Sequence, residues 1–259
     1  MSTPWEPKEP GAPRPPLGVG RLIGQTFRLF FARFGTLFPL AFVPALVLGL
    51  LNWGVSAPLP ADFDPATDPL PIPSWGELIL GLASTVVGFF VIGFMCLAAL
   101  DAVMGRSHTI QQYTRQAIRQ LIPIGVLGIL LSIGAGFAAI FLILPGLYVL
   151  ARFLPWVEAV VFEDAGWSGL GRAQDLTEGY RWPLVGAVVL MALAILVLML
   201  LTLPLFYATL GSGLLSALLQ AVISGAYYAL IAIYTALIYA RLREVKEGLS
   251  IEQIAATIG

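Results

Sequence analysis

Between Arg181 and Arg241 the chain runs for 59 residues, Trp182 to Ala240, without an Asp, Glu, Lys, Arg or His. One helical crossing of a hydrocarbon core takes about 20 apolar residues, so this run holds two crossings and a turn. A water-soluble core of a 259-residue chain does not hide such a stretch. Composition agrees: 58% of residues are hydrophobic and 11% charged, against about 25% charged in soluble domains. The fold class that follows is all-α. It is a polytopic membrane helix bundle of about six transmembrane helices with short amphipathic cytoplasmic interfacial helices.

Six spans can be placed by hydropathy: Gly35 to Val55, Glu77 to Leu100, Leu121 to Leu144, Leu147 to Phe162, Pro183 to Leu203 and Leu214 to Ala240. Pro145-Gly146 is expected to end the third. The fourth is short and carries Arg152, Pro155 and Glu158. Residues 17–248 thus form the transmembrane domain. Residues 1–16 precede it with prolines at 4, 7, 10, 13, 15 and 16. That spacing predicts a disordered, polyproline-like cytoplasmic tail or a docking peptide, and no cleavable signal peptide. Residues 249–259 are expected to form a short C-terminal cytoplasmic helix.

Charge sets the orientation. With the N-terminus inside, 13 of the 14 Lys and Arg fall on one side of the six spans, and Arg152 falls within them. The loop Ser56 to Trp75 carries Asp62, Asp64 and Asp68 but no base, which makes its side the outside by the positive-inside rule. Both termini are therefore expected in the cytoplasm. Each pair of spans follows a short basic amphipathic segment. Arg21, Gln25 and Arg28 mark the first, and Gln112, Arg115 and Arg119 the second, where Thr109 to Gln112 fits a capping box. In the third, Arg172 and Asp175 oppose Trp167, Leu170 and Ala173, and Gly179 is a natural stop. Such helices lie in the headgroup plane with their bases toward anionic lipid. The order suggests three parallel units of surface helix plus hairpin.

Few groups carry chemistry. Span six has small residues at Ala217, Ala221, Gly225 and Ala229, and span three at Gly128, Ser132 and Gly136. These stripes serve close packing within the chain, a dimerisation seam or a sliding interface. Gln220, Ser224, Tyr227 and Thr235 form a loose polar line that suits a solute path or inter-helix hydrogen bonds. Arg152 is costly at mid-bilayer, by roughly 2.5–3.5 kcal/mol. It is expected to snorkel to the outer interface, to pair with Glu77, to serve a substrate or proton site, or to belong to a fourth segment that is interfacial and not a span. Glu158 lies deeper, near the level of Asp101, and meets Arg152 only through a kink at Pro155. One His and one Cys, His108 and Cys96, supply neither a metal cluster nor a Cys–His pair. Asp62, Asp64 and Asp68 lack the glycine and glutamate of a calcium loop. No catalytic residue, cofactor or metal site is expected.

Two segments carry a resemblance. One is Ile143-Leu-Pro-Gly-Leu-Tyr-Val-Leu-Ala-Arg152 with Glu163, then Gly169 to Gly179 containing Arg172, then Arg181-Trp182. The other is Tyr239-Ala-Arg241 with Arg243 and Glu247-Gly248. They resemble a group of bacterial multi-pass membrane proteins that includes the YciC-like proteins and the membrane domain attached to some glycerophosphodiester phosphodiesterases. Leu17 to Phe34 is similar to the group's first surface helix. Ala173 stands where Ser is usual, and Glu178 where a base is common. The resemblance implies an inner-membrane protein of unknown function, and the phosphodiesterase activity does not carry over. Glu163, Arg172, Gly179, Arg241, Glu247 and Gly248 would shape its cytoplasmic surface.

The functional expectation is a non-catalytic membrane-organising or accessory protein, with a small-solute or lipid transporter as the alternative and a lipid-modifying enzyme third. Its partners would be the bilayer, with anionic headgroups at the cytoplasmic face, and a membrane protein or second copy, not nucleic acid.

Overall fold

A computed structural model describes residues 16–55, 74–104, 110–141, 143–208 and 214–248. Among them the only regular structure is helix, with no strand. The reason is solvation: in hydrocarbon every backbone N–H and C=O must be satisfied inside its own segment, and an α-helix does that. The proline-rich tail, the acidic loop, the capping box at Thr109 and the C-terminal helix expected over 249–259 lie outside the described residues, wholly or in part.

The helices run α1 (Val19–Ala32), α2 (Phe34–Val55), α3 (Trp75–Met104), α4 (Ile110–Arg119) and α5 (Leu121–Phe141). They continue as α6 (Ile143–Arg152), α7 (Trp156–Phe162), α8 (Gly169–Thr177), α9 (Arg181–Ala208) and α10 (Leu214–Glu247). Among the described residues five segments are long and apolar enough to cross a membrane, and α1 with α2 makes a sixth candidate bent by 89°. This is a multi-pass membrane protein. The expected succession of short amphipathic helix and apolar hairpin is present three times, beginning at α1, α4 and α8.

The bend between α1 and α2 follows from pattern. α1 buries Leu22, Thr26 and Phe30 and leaves Arg21 and Arg28 exposed, so it turns one face to the bundle. α4 does the same with Tyr113 and Ala117 inward and Arg115 and Arg119 outward. In α8, Ala173, Leu176 and Thr177 are buried. Trp167, expected on that inner face, is instead exposed in a short 3-10 turn, Gly166–Ser168, ahead of the helix.

Two expectations about the fourth span change. Pro145-Gly146 does not end the third span; it lies in the first turn of α6, where a proline's missing N–H costs nothing. The span Leu144–Phe162 is interrupted at Phe153–Pro155, because Pro155 has no N–H to give Ala151. The chain recovers with Trp156 N–H donating to the Phe153 carbonyl at 3.0 Å.

α10 is the hub, touching α1, α2, α3, α7, α8 and α9. Its small-residue stripe meets α2: a Cβ on Gly225 would lie 3.0 Å from the Phe42 Cα. Ala217, Ala221 and Ala229 are buried along the same seam. Of the readings offered by the sequence, packing within the chain is the one this stripe performs. Gly128 of α5 likewise accepts the Phe89 ring of α3, whereas nothing lies within 4 Å of a Cβ on Gly136.

Gly225→Leu should therefore lower thermal stability in detergent by about 1–3 kcal/mol through overpacking against backbone. Gly136→Ala should be neutral or slightly stabilising. Equal melting temperatures for the two variants would contradict the α2–α10 seam.

Candidate functional site

At the end of α10 five side chains join. Glu163, just past α7, accepts from Arg172 Nε of α8 at 2.5 Å and from the Tyr239 hydroxyl of α10 at 2.7 Å. The other arm of Arg172 reaches Glu247 Oε1. Arg243 Nε donates to Glu247 Oε2 at 2.8 Å, and Arg243 Nη1 donates to the Tyr239 hydroxyl at 3.2 Å. Arg243 also lies 3.9 Å from Glu163. Two acids and two bases close a ring in which each charge faces its opposite. Arg172 is 29% exposed and Glu163 19%, so water screens the ring only in part.

Arg172 holds its proton more tightly than a free guanidinium. Burial works against that, but the hydrogen bonds and charges of Glu163 and Glu247 outweigh it. The fold aims these groups by local devices. Gly169 lets α8 close onto α7, since a Cβ there would meet Val160 at 2.2 Å. Asp164 adopts a left-handed φ of 53°, which Asp tolerates better than most residues. Its carboxylate takes Gln120 and, at 2.8 Å, Arg119, tying the loop to the end of α4. Gly179 (φ 82°) and Gly248 (φ 68°) turn the chain out of α8 and α10.

Of the residues singled out in the sequence, Glu163, Arg172 and Glu247 thus meet. Gly179 forms the turn before α9. Arg241 stands apart, pairing with Glu244 at 2.7 Å and donating to the Pro16 carbonyl. Asp101 is buried and accepts from the Tyr113 hydroxyl of α4. Arg243 and Tyr239 belong to the ring but were not candidates. Their spacing, Tyr239–Arg243–Glu247 at every fourth position, is the signal that places them on one helix face.

Glu158 is fully buried. Its Oε1 lies 3.2 Å from Cys96 Sγ of α3, which is in turn 3.7 Å from Thr235 Oγ1 of α10. Its Oε2 has no hydrogen-bond partner among the described residues. Arg152 does not reach it. Nor does Arg152 take Glu77, whose carboxylate caps its own helix through Ser74 N–H at 2.7 Å. The Arg152 carbonyl instead accepts from Thr177 at 2.7 Å, and its guanidinium lies over the Phe153 ring at 5.4 Å. Arg152 therefore sits against the turn ahead of Arg181, not at the Glu77 end of the bundle. The polar line of α10 also disperses: Gln220 is exposed, while Thr235 back-bonds to the Ile231 carbonyl at 3.1 Å.

No protein-family model, no curated protein and no solved structure matches this chain.

Arg172→Gln should cost about 1–2 kcal/mol of stability, the partly screened loss of charge-assisted bonds to two carboxylates. In a double-mutant cycle with Glu247→Gln, the coupling should exceed about 0.5 kcal/mol. Additive losses would mean that the ring is not energetically joined.

Proposed function

We propose that this is a non-catalytic, membrane-organising or accessory protein of a bacterial cytoplasmic membrane, with both termini in the cytoplasm. The observation that carries the reading is the closed ring of Glu163, Arg172, Tyr239, Arg243 and Glu247. Its charges are spent on one another, and it locks α7, α8 and α10 into one rigid end. A solute pathway is better served by charges left free to exchange partners at one depth. The bases cluster on the side of this ring, which supports its cytoplasmic placement. The resemblance noted at Ile143 to Arg152 and at Tyr239 to Gly248 supports the bacterial inner membrane. The organising role means that the rigid face presents itself to another membrane protein or to a second copy.

A transporter is the second reading, favoured by Glu158 alone. A carboxyl buried among spans without a base calls for a proton or a passing cation.

Purification of the full chain in mild detergent separates the two. The organising reading expects a membrane-protein partner or a second copy to be retained in fixed stoichiometry. It expects that association to survive Glu158→Gln and to be lost with Arg172→Glu, which reverses one charge of the ring. A monomer that copurifies with nothing would favour the transporter, as would dependence of the association on Glu158 alone.

A further inference from the structure

We propose that Arg152 and Arg181 form a two-guanidinium cradle for the phosphate of an anionic phospholipid headgroup. The inference rests on the membrane character of the chain and is independent of its organising role.

Among the described residues neither guanidinium has a carboxylate partner: Arg181 Nη1 meets only the Tyr148 hydroxyl, and Arg152 lies over the Phe153 ring. Arg152 Nε and Arg181 Nε are buried and without hydrogen-bond partners among the described residues. Arg172 and Arg243, by contrast, spend their forks on Glu163 and Glu247. The acids nearest Arg181 in sequence, Asp175 and Glu178, are exposed and pair with neither base, and Glu158, the acid nearest Arg152, meets Cys96 instead. Burying a guanidinium nitrogen away from water costs free energy unless an acceptor arrives.

The two bases share one seam. Tyr148 and Arg152 are four residues apart on α6 and so lie on one face. Across from them, Thr177 and Arg181 flank the turn at Gly179. Two cross-ties pin these pairs together: the Thr177 hydroxyl to the Arg152 carbonyl at 2.7 Å, and Arg181 Nη1 to the Tyr148 hydroxyl at 3.3 Å. A guanidinium fork matches phosphate oxygens in pairs, and the Tyr148 hydroxyl, bonded to Arg181, adds a further polar group at this seam.

The surroundings select a lipid over a soluble anion. Arg181 opens a 25-residue apolar span, Arg181–Leu205. Beside it Trp182 is 71% exposed, its ring 6.0 Å from that of Tyr148. Exposed Trp at the end of a span sits at headgroup level. Further along α9, Leu190, Leu193, Val197 and Leu200 are exposed, an apolar track along which acyl chains can lie once the phosphate is held.

The test uses the full chain in phosphatidylcholine nanodiscs with and without phosphatidylglycerol of the same acyl chains, with retained lipid counted by native mass spectrometry. Wild-type protein should retain phosphatidylglycerol in preference to phosphatidylcholine. Arg152→Gln and Arg181→Gln should each weaken that retention by about tenfold, the loss of one charge-assisted bond. Arg115→Gln, at an exposed base on α4, should leave it unchanged, and excess inorganic phosphate should not strip the lipid. Undiminished retention in the double variant overturns the proposal, as does displacement by inorganic phosphate, which would mark a site for soluble anions. Should the Gln variants fail to fold, the wild-type comparison decides alone: no preference for phosphatidylglycerol overturns it.

Discussion

Backbone amides in hydrocarbon have no water to bond, and this constraint governs everything else in the structure. It makes each apolar run a helix, and it leaves side-chain shape to decide how the helices meet. Gly225 admits the α2 backbone, and Gly128 admits the Phe89 ring. Without a hydrophobic drive between helices already in oil, such close approaches supply the van der Waals contact that holds the bundle. α10 is central because its small-residue stripe and its Tyr234–Tyr239 segment face different neighbours. The Tyr234 hydroxyl reaches the Ala187 carbonyl of α9 at 2.8 Å, whereas Tyr239 joins the charged ring.

Polar groups are placed in three ways within that scaffold. The ring around Arg172 compensates every charge that it contains, and so acts as a structural clasp. Glu158 is buried with one oxygen unmet, in contact with Cys96. Arg152 and Arg181 lie at a seam with nitrogen atoms still to be satisfied. These differences separate groups whose polar atoms are satisfied within the fold from groups whose atoms are not.

Much of the fold was legible in the sequence because hydropathy and basic amphipathic segments are local signals. The helix order, the bend before α2 and the turn at Gly179 all follow from short windows. Pro155 announced a kink, and it proved to be a break. Pro145-Gly146 misled, because the same dipeptide serves a turn or the opening of a helix, and only the packing of α6 chooses between them. Trp167 misled because a 3-10 turn takes it off the α8 periodicity. Pairings across many residues left no local trace: nothing near Cys96 announces Glu158, and nothing near Thr177 announces the Arg152 carbonyl. Arg243 is readable from its i, i+4 spacing to Glu247, whereas the adjacent Arg241 lies on another face and pairs with Glu244.

The central claim is that the chain crosses a bilayer and gathers its bases at one face. Reporters fused at Pro65 and at the C-terminus test it most directly, in intact cells. The two reporters should lie on opposite sides, with the C-terminus inside. Both reporters on the same side, or a protein recovered folded from the soluble fraction without detergent, would contradict it.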